Sequence, residues 1–442
     1  LSPTPWLAPL AAGPIRGELS VPGSKSASAR SLLLAALADG PSTLSGVLAS
    51  RDTSLIQAGL TTLGARFEES DGQLRVTPAG ELTGGGRIDC GLAGTVMRFL
   101  PPLAALAAQP TQFFGDPAAS QRPMGPLLGA LSELGAVVSR PWQLPFTVAA
   151  GQFRGGAVTL DASGSSQFIS ALLLSGARFP DGIAVTHCAR PTEKGTVPFS
   201  VGQGGTTVPS LPHIQMSVEL LVRRGVAASQ TGPASWQVSP GPIAALDEAV
   251  EPDLTNAATL LAAALITGGE LTTAWPDGVQ AGGELAEVLA AFGAQLTFFT
   301  GPDGTRQLTV SGASGQRGAD LDLSKVSELT PVAAALAALA PEPSRLRGVA
   351  HIRGHETDRL AALSTGLAGL GAQVRQTDDG LEFGPSTLHG GGFATHADHR
   401  LAHAAALVGL VIDGVLLDDV ACTTKTLPDF PGMWQNLIGA QR

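Results

Sequence analysis

Six times along its 442 residues the chain repeats one plan, a cluster of small, polar or charged residues followed by an Ala/Leu-rich run. The copies are "SKSASARSLLLAALA", "GTVMRFLPPLAALAA", "SSQFISALLLSGA", "LTNAATLLAAAL", "ELTPVAAALAALA" and "DHRLAHAAALVGL", beginning near residues 24, 94, 165, 254, 328 and 398. Between them recurs an amphipathic stretch closing in Gly and then two short strand-like runs, as in "LLGALSELGAVVS" and "LSTGLAGLGAQVRQ". Each closing Gly fits a helix C-cap, and signals such as "SDGQ", "PDGT" and "TDDG" bound the strands. Five copies of this second element are clear and a sixth is not visible. A period of some seventy residues is one supersecondary unit that buries its apolar face against its neighbours. The reading is therefore α/β: six helix–strand units in two similar halves of three. The wider spacing around "SWQVSPGPIAALDEAVEPD" marks the boundary between them.

The first helix of each unit is apolar nearly all round and should be buried. Its N-terminal N–H groups still need acceptors. Ordinary N-caps account for "LTNAA", but capping requires no Arg or Lys, so they do not account for "SKSASAR", "GTVMR" or "DHR". The chain has only four lysines, and 14% of its residues are charged, so a solvated charge run explains little. A helix N-terminus with Lys25, Arg30, Arg98 or Arg400 beside it suits phosphate and carboxylate. The formal net charge of −10 argues against nucleic acid or an anionic membrane as partner. The expected ligand is small and multiply anionic.

Further clusters point the same way. "SQRPMGPLL" sets Arg122 before a Pro-started helix, "GSSQF" offers Ser165, Ser166 and Gln167, "RGHETDRL" sets Glu356 and Arg359 three apart, and "CTTKTLPDFPG" carries Lys425. Each alone could be an ordinary surface contact; in matching places of a repeat they read as a site. His399 and His403 have the spacing of a zinc helix, but no HExxH pattern accompanies them and no metal is assigned. "GQGG" at 202–205 is glycine-rich without a dinucleotide fingerprint. Cys90, Cys188 and Cys422 are odd in number and lack metal spacing, the N-terminal stretch does not read as a signal peptide, and His403 and Asp413 interrupt the longest apolar run. A cytoplasmic protein that does not enter the membrane is expected.

In order along the chain, "PGSKSASAR", "GLAGTVMRF", "RPMGPLLGAL", "SSQF", "HETDRL", "ADHRLA" and "TTKTLPDFP" resemble the signatures of the EPSP synthase family, in a variant of the actinobacterial type. The match runs from about residue 14 to 437. The resemblance implies the enolpyruvate transferase fold: two similar domains, each of three βαβαββ units, with helix N-termini facing an interdomain cleft. The boundaries expected here are 22–250, binding mainly shikimate 3-phosphate, and 1–21 plus 251–442, with phosphoenolpyruvate-binding and acid/base residues. It also implies a monomer using no cofactor, which moves the enolpyruvyl group of phosphoenolpyruvate to the 5-hydroxyl of shikimate 3-phosphate.

Residue by residue, the resemblance implies that Ser26, Arg30, Ser165, Ser166 and Ser210 hold shikimate 3-phosphate, and that Lys25 and Gln167 touch both substrates. Gly94, Thr95, Arg122, Arg359, Arg400 and Lys425 would hold phosphoenolpyruvate, with Glu328 and Glu356 as the acid/base pair assisted by Lys25 and His355. Glu328 stands where most members have Asp, Phe99 where Pro is usual, and His355 where a Lys precedes the second glutamate. Adjacent Glu356 and bound anions are expected to keep His355 as imidazolium, giving a basic limb in the pH–rate profile. Three rivals stand beside it: the UDP-N-acetylglucosamine enolpyruvyl transferase, disfavoured because "GDPAASQRPMG" lacks that family's loop cysteine; a non-catalytic anion-binding relative; and a solenoid-type interaction scaffold, which leaves Lys25, Arg122 and Lys425 unexplained.

Overall fold

In a computed structural model that describes residues 3–189 and 208–439, the chain divides into two compact units, Gly23–Glu251 and Leu1–Pro22 with Pro252–Arg442. Lys194 and the glycine-rich 202–205 lie outside the described residues.

Within Gly23–Glu251 the units are three four-stranded sheets, built alike. In the third, Gly156–Leu160 runs parallel to Ile183–His187 across the buried Gln167–Gly176 helix. The Leu211–Arg223 helix then returns the chain to the hairpin Ala228–Gly232/Ser235–Val238, whose second strand pairs antiparallel with Ile183–His187. That is a βαβαββ unit. The second sheet has the same order, with Arg87–Asp89 parallel to Thr111–Phe114 and the hairpin Val137–Val138/Phe146–Ala149 beside it. In the first sheet the leading strand is Glu248–Ala249, from the far end of the domain, paired parallel to Ser42–Ser45.

The other unit repeats this with its own permutation. Arg16–Leu19 supplies the leading strand beside Glu270–Ala274, and Asp320–Asp322 leads the next sheet beside Ser344–Arg347. The sixth copy is shortened. Gly391–Phe393 and Val415–Leu417 pair in parallel, and Trp6–Leu7 closes the sheet antiparallel to the latter. In place of a second helix and hairpin stands the Phe430–Gly439 helix, whose Phe430 packs on Trp6 at 5.9 Å and on Trp434 at 5.0 Å. The repeat was invisible here because a strand from the opposite end of the chain completes it.

Local chemistry explains the elements. The glycine closing each of five amphipathic helices has positive φ (Gly64 111°, Gly135 100°, Gly225 75°, Gly293 107°, Gly371 95°), a region Cβ-bearing residues avoid. Asp71 and Gly72, at φ 52° and 72°, join Arg66–Ser70 to Gln73–Thr77 in the tight turn a two-residue hairpin needs. One expectation is corrected: "GTVMRFLPPLAALAA" is not one helix but two, Gly94–Phe99 and Pro101–Ala104. Pro101 and Pro102 lack an N–H and crowd the preceding turn, so the first helix ends before them. The first helices are core: Leu32, Leu33, Leu34, Leu172, Leu173, Leu261, Leu336 and Leu407 are fully buried.

Candidate active site

In Gly23–Glu251 the candidate arginines Arg30 and Arg122 are held by neutral groups. Ser24 caps the Lys25–Ala36 helix by accepting from Ala27 N–H, and Lys25 Nζ stands 3.8 Å from Asp52. One helical turn on, Arg30 is buried: its Nε donates to Ser217 Oγ (2.8 Å), Nη1 to the Ser26 carbonyl (2.9 Å) and Nη2 to the His213 carbonyl (3.0 Å). The Phe99 ring lies 5.1 Å from its guanidinium carbon, so the residue found where Pro is usual supports this arginine by a cation–π contact. Burial pulls Arg30 down to about 9, which leaves it charged at neutral pH. Most of its donors are already engaged by the protein.

Gly94 and Arg122 form the second group. Arg122 Nη1 donates to the Leu92 carbonyl at 3.1 Å, and its guanidinium lies across the start of the Gly94–Phe99 helix. A Cβ at residue 94 would sit 2.9 Å from Arg122 Nη2, so glycine is what lets the guanidinium approach. Arg122 is buried, its Nε has no partner among the described residues, and Thr95 beside it is buried as well. Among the described residues no carboxylate lies within 4.0 Å of the nitrogens of Arg30 or Arg122 (salt-bridge distance).

At the third helix, Ser165 Oγ accepts from Gln167 N–H at 3.3 Å and Ser166 occupies the cap position. Gln167 Oε1 accepts from Arg98 Nη1 at 2.7 Å. Ser210, at the start of Leu211–Arg223, has φ 53°, an unusual conformation for a residue with a Cβ.

The other unit gathers five expected residues around a sixth, the buried Arg359. Arg359 opens the Arg359–Gly369 helix. Its Nη1 donates to Glu328 Oε2 (3.2 Å) and His355 Nδ1 (3.1 Å), its Nη2 to Glu356 Oε2 (2.9 Å), and its Nε to Asp398 Oδ2 (2.7 Å). Arg400 Nε donates to Glu328 Oε2 at 3.1 Å, and Lys425 Nζ to Glu356 Oε1 at 2.7 Å. Three cations thus face three carboxylates. Arg400 is buried and its Nη1 has no partner among the described residues. Burial pushes Glu328 toward protonation, but Arg359 and Arg400 outweigh it and hold the carboxyl well below its usual range. Burial likewise opposes the charge on Arg359, and Asp398, Glu356 and Glu328 more than restore it.

Asp398 was not singled out as a site residue in the sequence. It caps the His399–Gly409 helix, its Oδ1 accepting from Arg400 N–H, and both its oxygens accept from Arg359. The signal was "DHR", read as a cap and a cation; a fully buried aspartate with both functions is visible only in three dimensions.

His355 corrects an expectation. An arginine only donates hydrogen bonds, so Nδ1 of His355 must accept from Arg359, and a ring nitrogen that accepts carries no proton. Burial pushes its pKa down to about 3, against the pull of Glu328. His355 is therefore neutral, with its proton on Nε2, and not the imidazolium that the neighbouring glutamate suggested. The His399 and His403 rings meet edge-on at 5.9 Å, and among the described residues no group of His, Cys, Asp and Glu is placed to hold a metal ion.

The family model for EPSP synthase (3-phosphoshikimate 1-carboxyvinyltransferase) matches residues 10–434. The chain belongs to the EPSP synthase family. It is similar to the 3-phosphoshikimate 1-carboxyvinyltransferase of Kocuria rhizophila, 49% identical over 454 aligned positions that cover 99% of this chain and 97% of that protein. In fold it resembles two structures of EPSP synthase from Acinetobacter baumannii, with TM-scores of 0.76 and 0.74 at 22% identity, each covering 99% of this chain and 97% of the other. The two-domain enolpyruvate transferase architecture expected from the sequence is the one found. No helix among the described residues is long and apolar enough to cross a membrane.

Proposed function

We propose that the chain transfers the enolpyruvyl group of phosphoenolpyruvate to the 5-hydroxyl of shikimate 3-phosphate, with the cations of Gly23–Glu251 and the Arg359 cluster acting on one pair of substrates. Lys25, Ser26, Arg30, Ser165, Ser166, Gln167 and Ser210 serve shikimate 3-phosphate. Gly94, Thr95, Arg122, Arg359, Arg400 and Lys425 serve phosphoenolpyruvate, with Lys25 and Gln167 reaching both. Arginine suits this task because its planar fork pairs carboxylate and phosphate bidentately.

The observation that carries the proposal is the Arg359 cluster. Two carboxylates of different exposure, Glu328 and Glu356, share one buried arginine, and the adjoining Arg400 keeps a buried N–H without an acceptor among the described residues. In the reaction a proton is added to the methylene carbon of phosphoenolpyruvate, C2 accepts the 5-oxygen as the hydroxyl loses its proton, and a tetrahedral ketal forms. The C2–O bond to phosphate then breaks while the methyl group returns a proton. A proton donor and a proton acceptor are needed at each stage, which two carboxylates in unlike surroundings supply. Neutral His355 orients Arg359 instead of adding charge. This reading places the enzyme in the cytoplasm, as a monomer. Mixing the protein with shikimate 3-phosphate and phosphoenolpyruvate and measuring phosphate release tests it; no release overturns it.

A further inference from the structure

Arg98 stands in the Gly94–Phe99 helix among the residues that the sequence marks as anion-binding, yet it is buried and its Nη1 makes a short bond to Gln167 Oε1, 2.7 Å long. Its guanidinium carbon lies 5.2 Å from the centroid of the Phe168 ring, the next residue of the Gln167–Gly176 helix. We infer that Arg98 is a positioning residue, which acts on the anionic substrates through the side-chain amide of Gln167. A primary amide has an accepting end and a donating end. An anion repels the first and binds the second. Because arginine cannot accept a hydrogen bond, the carbonyl of Gln167 is the end turned to Arg98, and Nε2 is the end left to meet substrate. The charge on Arg98 also draws electron density toward Oε1 and strengthens Nε2–H as a donor. Ser165, accepting from Gln167 N–H, fixes the backbone from which the amide projects.

This inference rests on the proposed reaction, in which Gln167 touches both substrates. Steady-state kinetics of Arg98→Met, Gln167→Met and the double variant, with melting temperatures alongside, separate the two. If Arg98 acts through Gln167, each single variant should lose about ten- to a hundredfold in kcat/KM, the scale of one charge-assisted hydrogen bond, and the double variant should lose no more than the worse single one. Arg98→Lys, which keeps a donor, should recover part of the loss. Gln167→Glu decides the matter even if Arg98→Met fails to fold: the carboxylate keeps its bond to Arg98 but turns an anionic oxygen toward substrate. It should lose at least tenfold in kcat/KM with no fall in melting temperature. Losses that multiply in the double variant, or a Gln167→Glu enzyme as active as the parent, overturn the positioning role and leave the proposed reaction standing. A parent protein that releases no phosphate overturns both.

Discussion

The two domains hold their candidate anion-binding arginines in opposite ways. In Gly23–Glu251, Arg30 is gripped by hydroxyls and carbonyls, and Arg122 by the Leu92 carbonyl. In the other domain, Arg359, Arg400 and Lys425 are matched by Asp398, Glu328 and Glu356. A cation solvated by neutral dipoles keeps its full attraction for an arriving anion. A cation paired with carboxylates gives up most of that field, but it holds those carboxylates ionised and within reach of a substrate. The first arrangement suits binding, and the second suits moving protons.

Breaking a pair in the second domain should therefore cost the fold most. Asp398 is fully buried against Arg359, and removing its charge leaves the buried cluster of three cations one carboxylate short. Asp398→Asn is expected to lower stability by about 3–5 kcal/mol in denaturant unfolding. Arg122→Ala, by contrast, should unfold within about 1 kcal/mol of the parent while kcat/KM falls by about ten- to a hundredfold, because its missing contact is to substrate. Equal stability losses in the two variants would erase the distinction.

Acid should weigh more on the second domain, although burial also lowers His187 in the first. His351, His355 and His403, all in the second domain, are pushed down by burial to about 4, 3 and 3. Each stays neutral when folded but takes up a proton when unfolded below its ordinary value of 6.5, so stability is lost as pH falls through that value. The contribution of Glu328 has the same sign at lower pH: its depressed pKa stabilises the fold above the usual carboxylate range and is lost on further acidification. Unfolding at pH 7 and pH 5 should show this slope, and His403→Leu should reduce it by up to about 1.4 kcal/mol per pH unit. The smallest effect concerns catalysis. Because His355 is neutral, kcat/KM should show no limb from it between pH 6 and 8, and His355→Asn should give a profile parallel to the parent's. A basic limb that disappears in the variant would restore the charged imidazole.

Much of this was legible in the sequence, for physical reasons. The six apolar runs and five closing glycines report packing and backbone conformation locally, so the repeat could be read from one strand of text. The sixth unit could not, since Trp6–Leu7 and Val415–Leu417 are neighbours only after folding. Candidate site residues could be named from their types and from the family resemblance, but their couplings could not. That Arg359 binds Asp398, that Arg98 faces Gln167 and that His355 accepts a hydrogen bond all depend on residues from different turns of the fold. The charge on His355 was misjudged because "HETDR" displays both the glutamate and the arginine but not that the guanidinium turns back to donate to the ring.

The division between binding and proton transfer is tested most directly in Glu328→Gln, by measuring shikimate 3-phosphate affinity and single-turnover phosphate release on the same preparation. The account expects the dissociation constant to stay within about threefold of the parent's while release falls by at least a hundredfold, the scale of a lost general acid or base. If affinity falls as far as the rate, Glu328 is a structural partner of Arg359 and Arg400, and the paired domain is not where the protons move.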